Sequence, residues 1–286
     1  MTLLHLSDPH FGTQRKPVVQ ALIAWVNDVA RPDVLMLSGD LTQRATAAQF
    51  AQVKAFIQCL RIPHVLTIPG NHDLPLFNLW ARWRRPLGRY RQALGEDVAP
   101  TLDTPELLLL TLNTTRRWRH KHGELSPKQI ESTSARLREA RPEQLRIVVT
   151  HQPCAVPSQT ERNNLVRGYE TALSAWSRAG ADLVLGGHIH WPAVIPIDAS
   201  PSEAARRLWV VLAGTAVSSR IRRDDGNSCN LIHWDTVAGQ CTVERWDFVE
   251  NAADGPGGPA AIKALHGPVF GCWQRVAVHV LDVDRP

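Results

Sequence analysis

The chain has no apolar run that approaches the roughly 18 uninterrupted residues a membrane-spanning helix needs. No basic leader or cleavage-like segment precedes Leu3-Leu4-His5-Leu6, so no export signal is visible and a cytoplasmic location is expected. Cysteine is sparse. Cys59, Cys154, Cys229, Cys241 and Cys272 are odd in number, widely spaced and without a CxxC pair, which argues for reduced thiols rather than a disulfide framework. Cys154, three residues beyond His151, reads as a small buried hydrophobe. Lysine is also scarce, at five of the 32 basic residues, so most of the positive charge is guanidinium. The formal charge of +5 is modest, and no stable nucleic-acid complex is expected from it. Internal repeats and long low-complexity tracts are absent too.

What is present suffices for one sizeable domain. The 286 residues are 44% hydrophobic, enough to bury a large core. Leu3–Leu6, Val34–Leu37, Val65–Ile68, Ile147–Val149 and Leu183–Leu185 are short apolar runs of the kind buried parallel strands show. Between the first two, Val19, Leu22, Ile23, Val26 and Val29 recur at helical spacing; between the next two, Phe50, Val53, Ile57 and Leu60 do the same. This is βαβ organisation, which predicts an α/β domain over residues 1–250. The run Asn251-Ala-Ala-Asp-Gly-Pro-Gly-Gly-Pro is linker-like, and residues 251–286 are expected to form a C-terminal extension packed on that domain.

Each apolar run is followed by polar residues suited to metal binding: Asp8-Pro9-His10, Gly39-Asp40, Gly70-Asn71-His72-Asp73, His151 and Gly187-His188-Ile189-His190. A Gly-Asp pair or a lone histidine after a strand is ordinarily a turn or a hydrogen-bonded residue. Five such sets in order are another matter, because in open sheets the carboxyl ends of the strands carry the site. All five are predicted to face one crevice, whereas His5, His64, His233, His266 and His279 fit no set and read as structural. Imidazole, carboxylate and amide oxygen donors without cysteine suit Mn, Fe or Zn and argue against a structural zinc site.

The ordered series Asp-x-His, Gly-Asp, Gly-Asn-His-Asp, His and Gly-His-x-His resembles the signature of the calcineurin-like metallophosphoesterases over about the first two-thirds of the chain. That resemblance implies a four-layer αββα sandwich of two mixed β-sheets with flanking helices, and a centre of two divalent metal ions. Carried onto matching positions, it implies that Asp8, His10, Asp40 and His190 hold one metal, and Asp40, Asn71, His151 and His188 the other. His72 would be the general acid for the leaving alkoxide and Asp73 the residue that orients or polarises it. Two cations about 3.5 to 4 Å apart clamp a phosphoryl group and acidify a bridging water into the attacking hydroxide.

Beyond the motifs, residues 77–91 read as one amphipathic helical insertion, near 76–95, with Arg82, Arg84, Arg85, Arg89 and Arg91 interleaved with Trp80, Trp83 and Tyr90. Three readings of it stay open. It is a solvated basic face with its aromatics on the core, a substrate cap, or a surface for peripheral membrane or polyanion contact. Arg82, Arg85 and Asn113 are the candidate substrate-binding residues, the last preceding a second basic run, Arg116-Arg117-Trp118-Arg119-His120-Lys121-His122. Ser126-Pro127-Lys128-Gln129 is a helix start with a capping box. Downstream, residues 208–213, 230–234 and 240–248 read as strands that complete the second sheet, and 269–283 as a further strand or edge cover. The loop holding Arg220, Arg222 and Arg223 has no assignment.

The series with its intact Gly-Asn-His-Asp is most similar to bacterial cyclic-nucleotide phosphodiesterase-like members. Hydrolysis of a small phosphodiester substrate, a cyclic nucleotide among the candidates, is therefore the leading expectation. The alternatives are a UDP-sugar lipid pyrophosphohydrolase, against which His72 counts because that branch resembles Gly-Asn-Arg-Asp, and a nuclease of the same superfamily. A non-catalytic scaffold would have little reason to keep the full ligand set.

Overall fold

A computed structural model describes residues 1–197, 207–223, 225–250 and 271–283. Its first half alternates strand and helix as the apolar spacing predicts: β1 (Thr2–Leu6), α1 (Lys16–Trp25), β2 (Val34–Leu37), α2 (Ala47–Cys59) and β3 (His64–Thr67). The faces that the spacing marks are the buried ones, with Val18, Leu22 and Trp25 of α1 and Phe50, Val53 and Phe56 of α2 packed inward. The Thr46 hydroxyl caps α2 by accepting from the Gln49 amide. Each of the two helices connects parallel neighbours, β1 to β2 and β2 to β3.

The insertion departs from expectation. Instead of one helix over 77–91 there are two, α3 (Leu79–Arg84) and α4 (Gly88–Leu94). Pro86 is the cause: it disfavours helical geometry at the preceding residue, and Arg85 accordingly leaves the helix at φ −143° and ψ 67°. Of the aromatics there, Tyr90 is buried against Phe50, whereas Trp80 and Trp83 stand in solvent.

The chain continues through β4 (Thr101–Asp103), β5 (Leu107–Thr111), α5 (Pro127–Arg138), β6 (Leu145–Val149), α6 (Tyr169–Arg178), β7 (Leu183–Gly186), β8 (Ala193–Ile197) and β9 (Leu208–Leu212). The capping box at Ser126 and Gln129 forms as its sequence predicts. Last come β10 (Ser228–Asp235), β11 (Gln240–Glu250) and β12 (Gly271–Leu281).

These strands make two six-stranded sheets, ordered β12-β11-β10-β1-β2-β3 and β4-β5-β6-β7-β9-β8. Here the expectation for the C-terminal strands is corrected. Of the three segments expected to complete the second sheet, β9 alone does so, inserting parallel to β7; β10 pairs antiparallel with β1, and β11 and β12 extend that first sheet. Alternation foretells that a segment is a strand but not which strand it will join. Both faces of β10 are apolar, with Leu231 on the helical side and Ile232 on the inter-sheet side, so it suits the interior of a sheet covered on both faces.

Three apolar layers follow. Leu3, Val34 and Met36 of the first sheet meet Leu109, Ile147 and Leu183 of the second between the sheets. Outside the first sheet, Leu4, Leu35 and Leu37 pack on α1 and α2; outside the second, Val148, Val184 and Val210 pack with Ile130 of α5 and Trp176 of α6. The result is the four-layer αββα sandwich. The linker-like run beginning at Asn251, and the rest of 251–270 with His266, lie outside the described residues. Among the described residues no helix is long and apolar enough to cross a membrane.

Candidate metal centre

The polar sets sit where the strands end. Asp8 and His10 follow β1, Asp40 follows β2 and Asn71 to Asp73 follow β3, while His151 follows β6 and His188 and His190 follow β7. Backbone ties hold the loops together: the Asp8 amide donates to the Gly39 carbonyl at 3.1 Å, the His10 amide to the Asp40 carbonyl at 3.1 Å, and the Gly187 amide to the His151 carbonyl at 2.9 Å. Bonds between the loops of the two sheets include that from the His188 amide to Asp8 Oδ2 at 2.8 Å.

The backbone is bent to aim these side chains. Among the described residues, eight non-glycine residues have positive φ, and five of them are Asp8, His10, Asp40, His188 and His190. Such left-handed geometry is unfavourable for residues with a Cβ and is kept where surrounding structure enforces it. Gly39 is required for a different reason. At φ +107°, a Cβ there would stand 2.5 Å from His151 Nδ1.

The side chains form three overlapping groups whose ligand atoms all lie within 4.8 Å of one another: Asp8, His10 and His190; His10, Asp40 and His72; and Asp40, His151 and His188. His190 Nε2 is 3.2 Å from Asp8 Oδ1 and 3.1 Å from His10 Nε2. The two oxygens of Asp40 face opposite ways, Oδ1 toward His151 Nε2 at 3.3 Å and Oδ2 toward His10 Nε2 at 3.8 Å.

Hydrogen-bond logic tests whether cations fit. His151 Nδ1 donates to the Ser38 carbonyl at 2.8 Å and His190 Nδ1 to the Arg220 carbonyl at 2.6 Å. Carbonyls only accept, so both rings turn Nε2 lone pairs inward, toward carboxylate oxygens that also only accept. Asp8 Oδ1, His151 Nε2 and both ring nitrogens of His188 are buried without a hydrogen-bond partner. Acceptors facing acceptors in a dry site fit a positive centre between them.

Electrostatics agree. Burial opposes the charge on Asp8, yet His190, His10 and His151 hold its carboxyl well below the usual range; Asp40 is likewise lowered by His151, His72 and His10 against its burial. Burial strips the proton from His188, lowered to about 3, and lowers His10 too. His151 moves the other way, up to about 9, because Asp40 outweighs the desolvation. A proton there occupies the place a cation would take.

His72 lies at the rim of these groups. Its Nδ1 donates to the Gln43 carbonyl at 3.0 Å, its amide donates to Asp40 Oδ1 at 2.8 Å, and its Nε2 stands 4.0 Å from Asp40 Oδ2. Asp73, expected to orient or polarise His72, does not hydrogen-bond to the ring. Its carboxylate instead accepts from the amides of Leu41, Thr42 and Gly70 at 3.0, 2.8 and 2.9 Å and from the Thr42 hydroxyl at 2.8 Å, pinning two site loops to each other. Burial and the Asp40 charge push that carboxyl up to about 7, against those donors. Asn71 is buried beside Gln152, whose Nε2 donates to Asn71 Oδ1 at 3.4 Å.

The candidate substrate residues are placed differently. Arg82 spends its guanidinium on the carbonyls of Arg117, Pro75 and Arg119 at 2.7, 3.0 and 2.6 Å. Asn113 Oδ1 accepts from the amide and hydroxyl of Thr115, a local loop contact, and Arg85 is exposed. The arginine that does reach the site is Arg220, whose Nη1 donates to His72 Nε2 at 3.2 Å and to Gln43 Oε1 at 2.9 Å. Its signal in the sequence was its position beyond β9, at the same carboxyl edge as the ligands.

Residues 1–192 match the sequence model of the family described as Calcineurin-like phosphoesterase. The chain belongs to this family. A probable cyclic nucleotide phosphodiesterase of Rhodococcus erythropolis is 26% identical over 255 residues, covering 81% of this chain and 79% of that protein. The glycerophosphodiester phosphodiesterase GpdQ of Enterobacter lignolyticus is 26% identical over 163 residues, 54% of this chain and 57% of its own. Among solved structures, a purple acid phosphatase from yellow lupin superposes with a TM-score of 0.63 at 15% identity, over 86% of this chain and 51% of that one, a likeness of fold. As a calcineurin-like phosphoesterase the chain is a metal-dependent phosphoric ester hydrolase, with clustered carboxylates and histidines as its candidate metal-binding residues.

Proposed function

We propose that this phosphoesterase is a dinuclear-metal phosphodiesterase acting on a small phosphorylated substrate. Asp8, His10, Asp40 and His190 would hold one cation, and Asp40, Asn71, His151 and His188 the other. The observation that carries this reading is the two-sided environment of Asp40, one oxygen toward His151 and the other toward His10. A carboxylate so placed could serve both ion sites. When bound, divalent Mn, Fe or Zn would polarise the phosphoryl oxygens and lower the pKa of water toward neutrality.

The chain's own groups do the rest. With Nδ1–H fixed on the Gln43 carbonyl, His72 turns Nε2 to the site, and Nε2 is the atom that takes up a proton and passes it to the leaving alkoxide. While Arg220 donates to it, Nε2 is an acceptor, so that hydrogen bond must open for the ring to serve as an acid. The released guanidinium is suited to pair with two phosphoryl oxygens. Asp73 keeps both loops in register. Diester chemistry, with a cyclic nucleotide as the leading substrate, is supported by the names of two relatives and by the intact Gly-Asn-His-Asp set.

The test is a screen of the purified protein over an aryl phosphodiester, cyclic nucleotides, phosphomonoesters and UDP-linked lipids, stripped of metal and then supplied with Mn, Fe or Zn. Metal-dependent turnover fastest on diesters is expected. A protein that binds fewer than two divalent ions, or prefers monoesters, refutes the reading.

A further inference from the structure

Beside the metal centre, five large apolar side chains stand in solvent. Phe77 is 79% exposed, Leu79 73%, Trp80 72%, Trp83 62% and Trp118 64%. They come from two segments distant in sequence, α3 with its approach and the loop 116–122, that are stitched into one surface. Arg82 ties α3 to the carbonyls of Arg117 and Arg119, and Arg117 Nη1 donates back to the Trp83 carbonyl at 3.0 Å. Arg117 also lies over the Trp83 and Trp118 rings, at 4.3 and 5.9 Å from their centroids. Arg84 sits 5.8 Å from the Trp80 ring centre and Arg44 5.2 Å from that of Phe77.

This arrangement keeps aromatic rings out of the core rather than letting them collapse onto it. α3 has no buried residue, although half of its six positions are Leu or Trp. Contiguous exposed apolar surface of this kind marks an interaction site. Its charge has one sign: residues 74–95 and 113–123 contain no Asp or Glu. Tryptophan, phenylalanine and leucine among arginines match the apolar and anionic layers of a lipid surface, where indole rings sit at headgroup depth and guanidinium groups meet phosphate. Nucleic acid would stack on the rings but gains nothing from Leu79.

We propose that this face docks on an anionic lipid surface, with Phe77, Leu79 and the three tryptophans entering the headgroup layer. Docking does not depend on the proposed diester chemistry. It does orient the site, because the same loop reaches the centre: the Lys121 carbonyl accepts from Gln152 Nε2, the group that also donates to Asn71.

Flotation of the 286-residue protein with phosphatidylcholine vesicles, with and without phosphatidylglycerol, tests this. Expected are binding at least about tenfold tighter to the anionic vesicles, weakening as salt is raised, and a blue shift of tryptophan emission. The combined variant Trp80→Ser, Trp83→Ser, Trp118→Ser loses vesicle binding yet keeps its melting temperature and its Mn-dependent turnover of a small aryl phosphodiester; if it fails to fold, Trp80→Ser alone weakens binding. No binding to anionic vesicles, equal binding to neutral ones, or equal binding by a folded variant overturns the proposal. So does tighter capture of single-stranded nucleic acid, or self-association, through the same tryptophans.

Discussion

Arg220 Nη1 donates to His72 Nε2 at 3.2 Å, while His190 donates from Nδ1 to the Arg220 carbonyl at 2.6 Å, so one residue joins the candidate acid to a candidate metal ligand. The two contacts use different parts of Arg220. A side-chain change removes the first and leaves the second in place.

Arg220→Met keeps the length of the side chain and deletes its donors. The expected outcome is a fall in kcat/KM for an aryl phosphodiester of about ten- to a hundredfold, the size of one lost charge-assisted contact. Arg220→Lys restores part of it, since an ammonium offers charge but no planar fork. Steady-state kinetics decide, and unchanged kinetics in Arg220→Met would remove Arg220 from the phosphate site.

Asp40→Asn halves the negative charge of the candidate ligand set and weakens the residue proposed to serve both ions. Manganese is expected to raise the melting temperature of the wild-type protein, because a ligand that binds the native state alone stabilises it. In the variant that rise shrinks or disappears, and the metal content after dialysis falls for both ions together. A variant that retains two ions per chain would show that Asp40 does not bridge.

His72→Ala separates binding from proton transfer. The manganese-dependent melting shift is retained, whereas turnover drops about a hundredfold to ten-thousandfold, the range for loss of a general acid. The drop is expected to be steepest for alkyl leaving groups, which need the proton most. Full activity of His72→Ala on an alkyl diester would exclude the role.

Much of this was legible in the chain itself. Apolar runs of three or four residues, each followed within three residues by Asp, Asn or His, located the strands and the candidate ligands together, because a buried parallel strand and the loop at its carboxyl end are adjacent in sequence. Partner choice was not legible: β10 and β11 could serve either sheet, and only the pairing of Leu4 with Leu231 decides. Nor were contacts made by backbone groups. Arg82 looked like a phosphate ligand because guanidinium groups suit phosphate, but three carbonyls of neighbouring loops satisfy it first. Arg220, in a loop with no motif, reaches the centre by the path of the chain after β9 rather than by any local pattern.

His5 gives a stability prediction separate from catalysis. The ring is buried beneath the centre, with Nε2 2.9 Å from the Ser38 hydroxyl, and burial lowers it from 6.5 to about 3 despite the charge of Asp8. The unfolded chain therefore binds a proton as pH falls through 6.5, while the native protein refuses one until about 3. Native stability from this group is complete above the upper value and is lost as pH falls across the window, by about 1.4 kcal/mol per pH unit at most. His5→Gln places an amide that cannot titrate where Nε2 meets Ser38. Urea unfolding at several pH values between 4 and 7, with metal removed from both proteins, is expected to show a shallower loss of stability toward acid in the variant. Burial lowers His188 and His10 as well, so the difference between the two slopes is the readout, and parallel slopes would mean that His5 takes up its proton alike in the native and unfolded states.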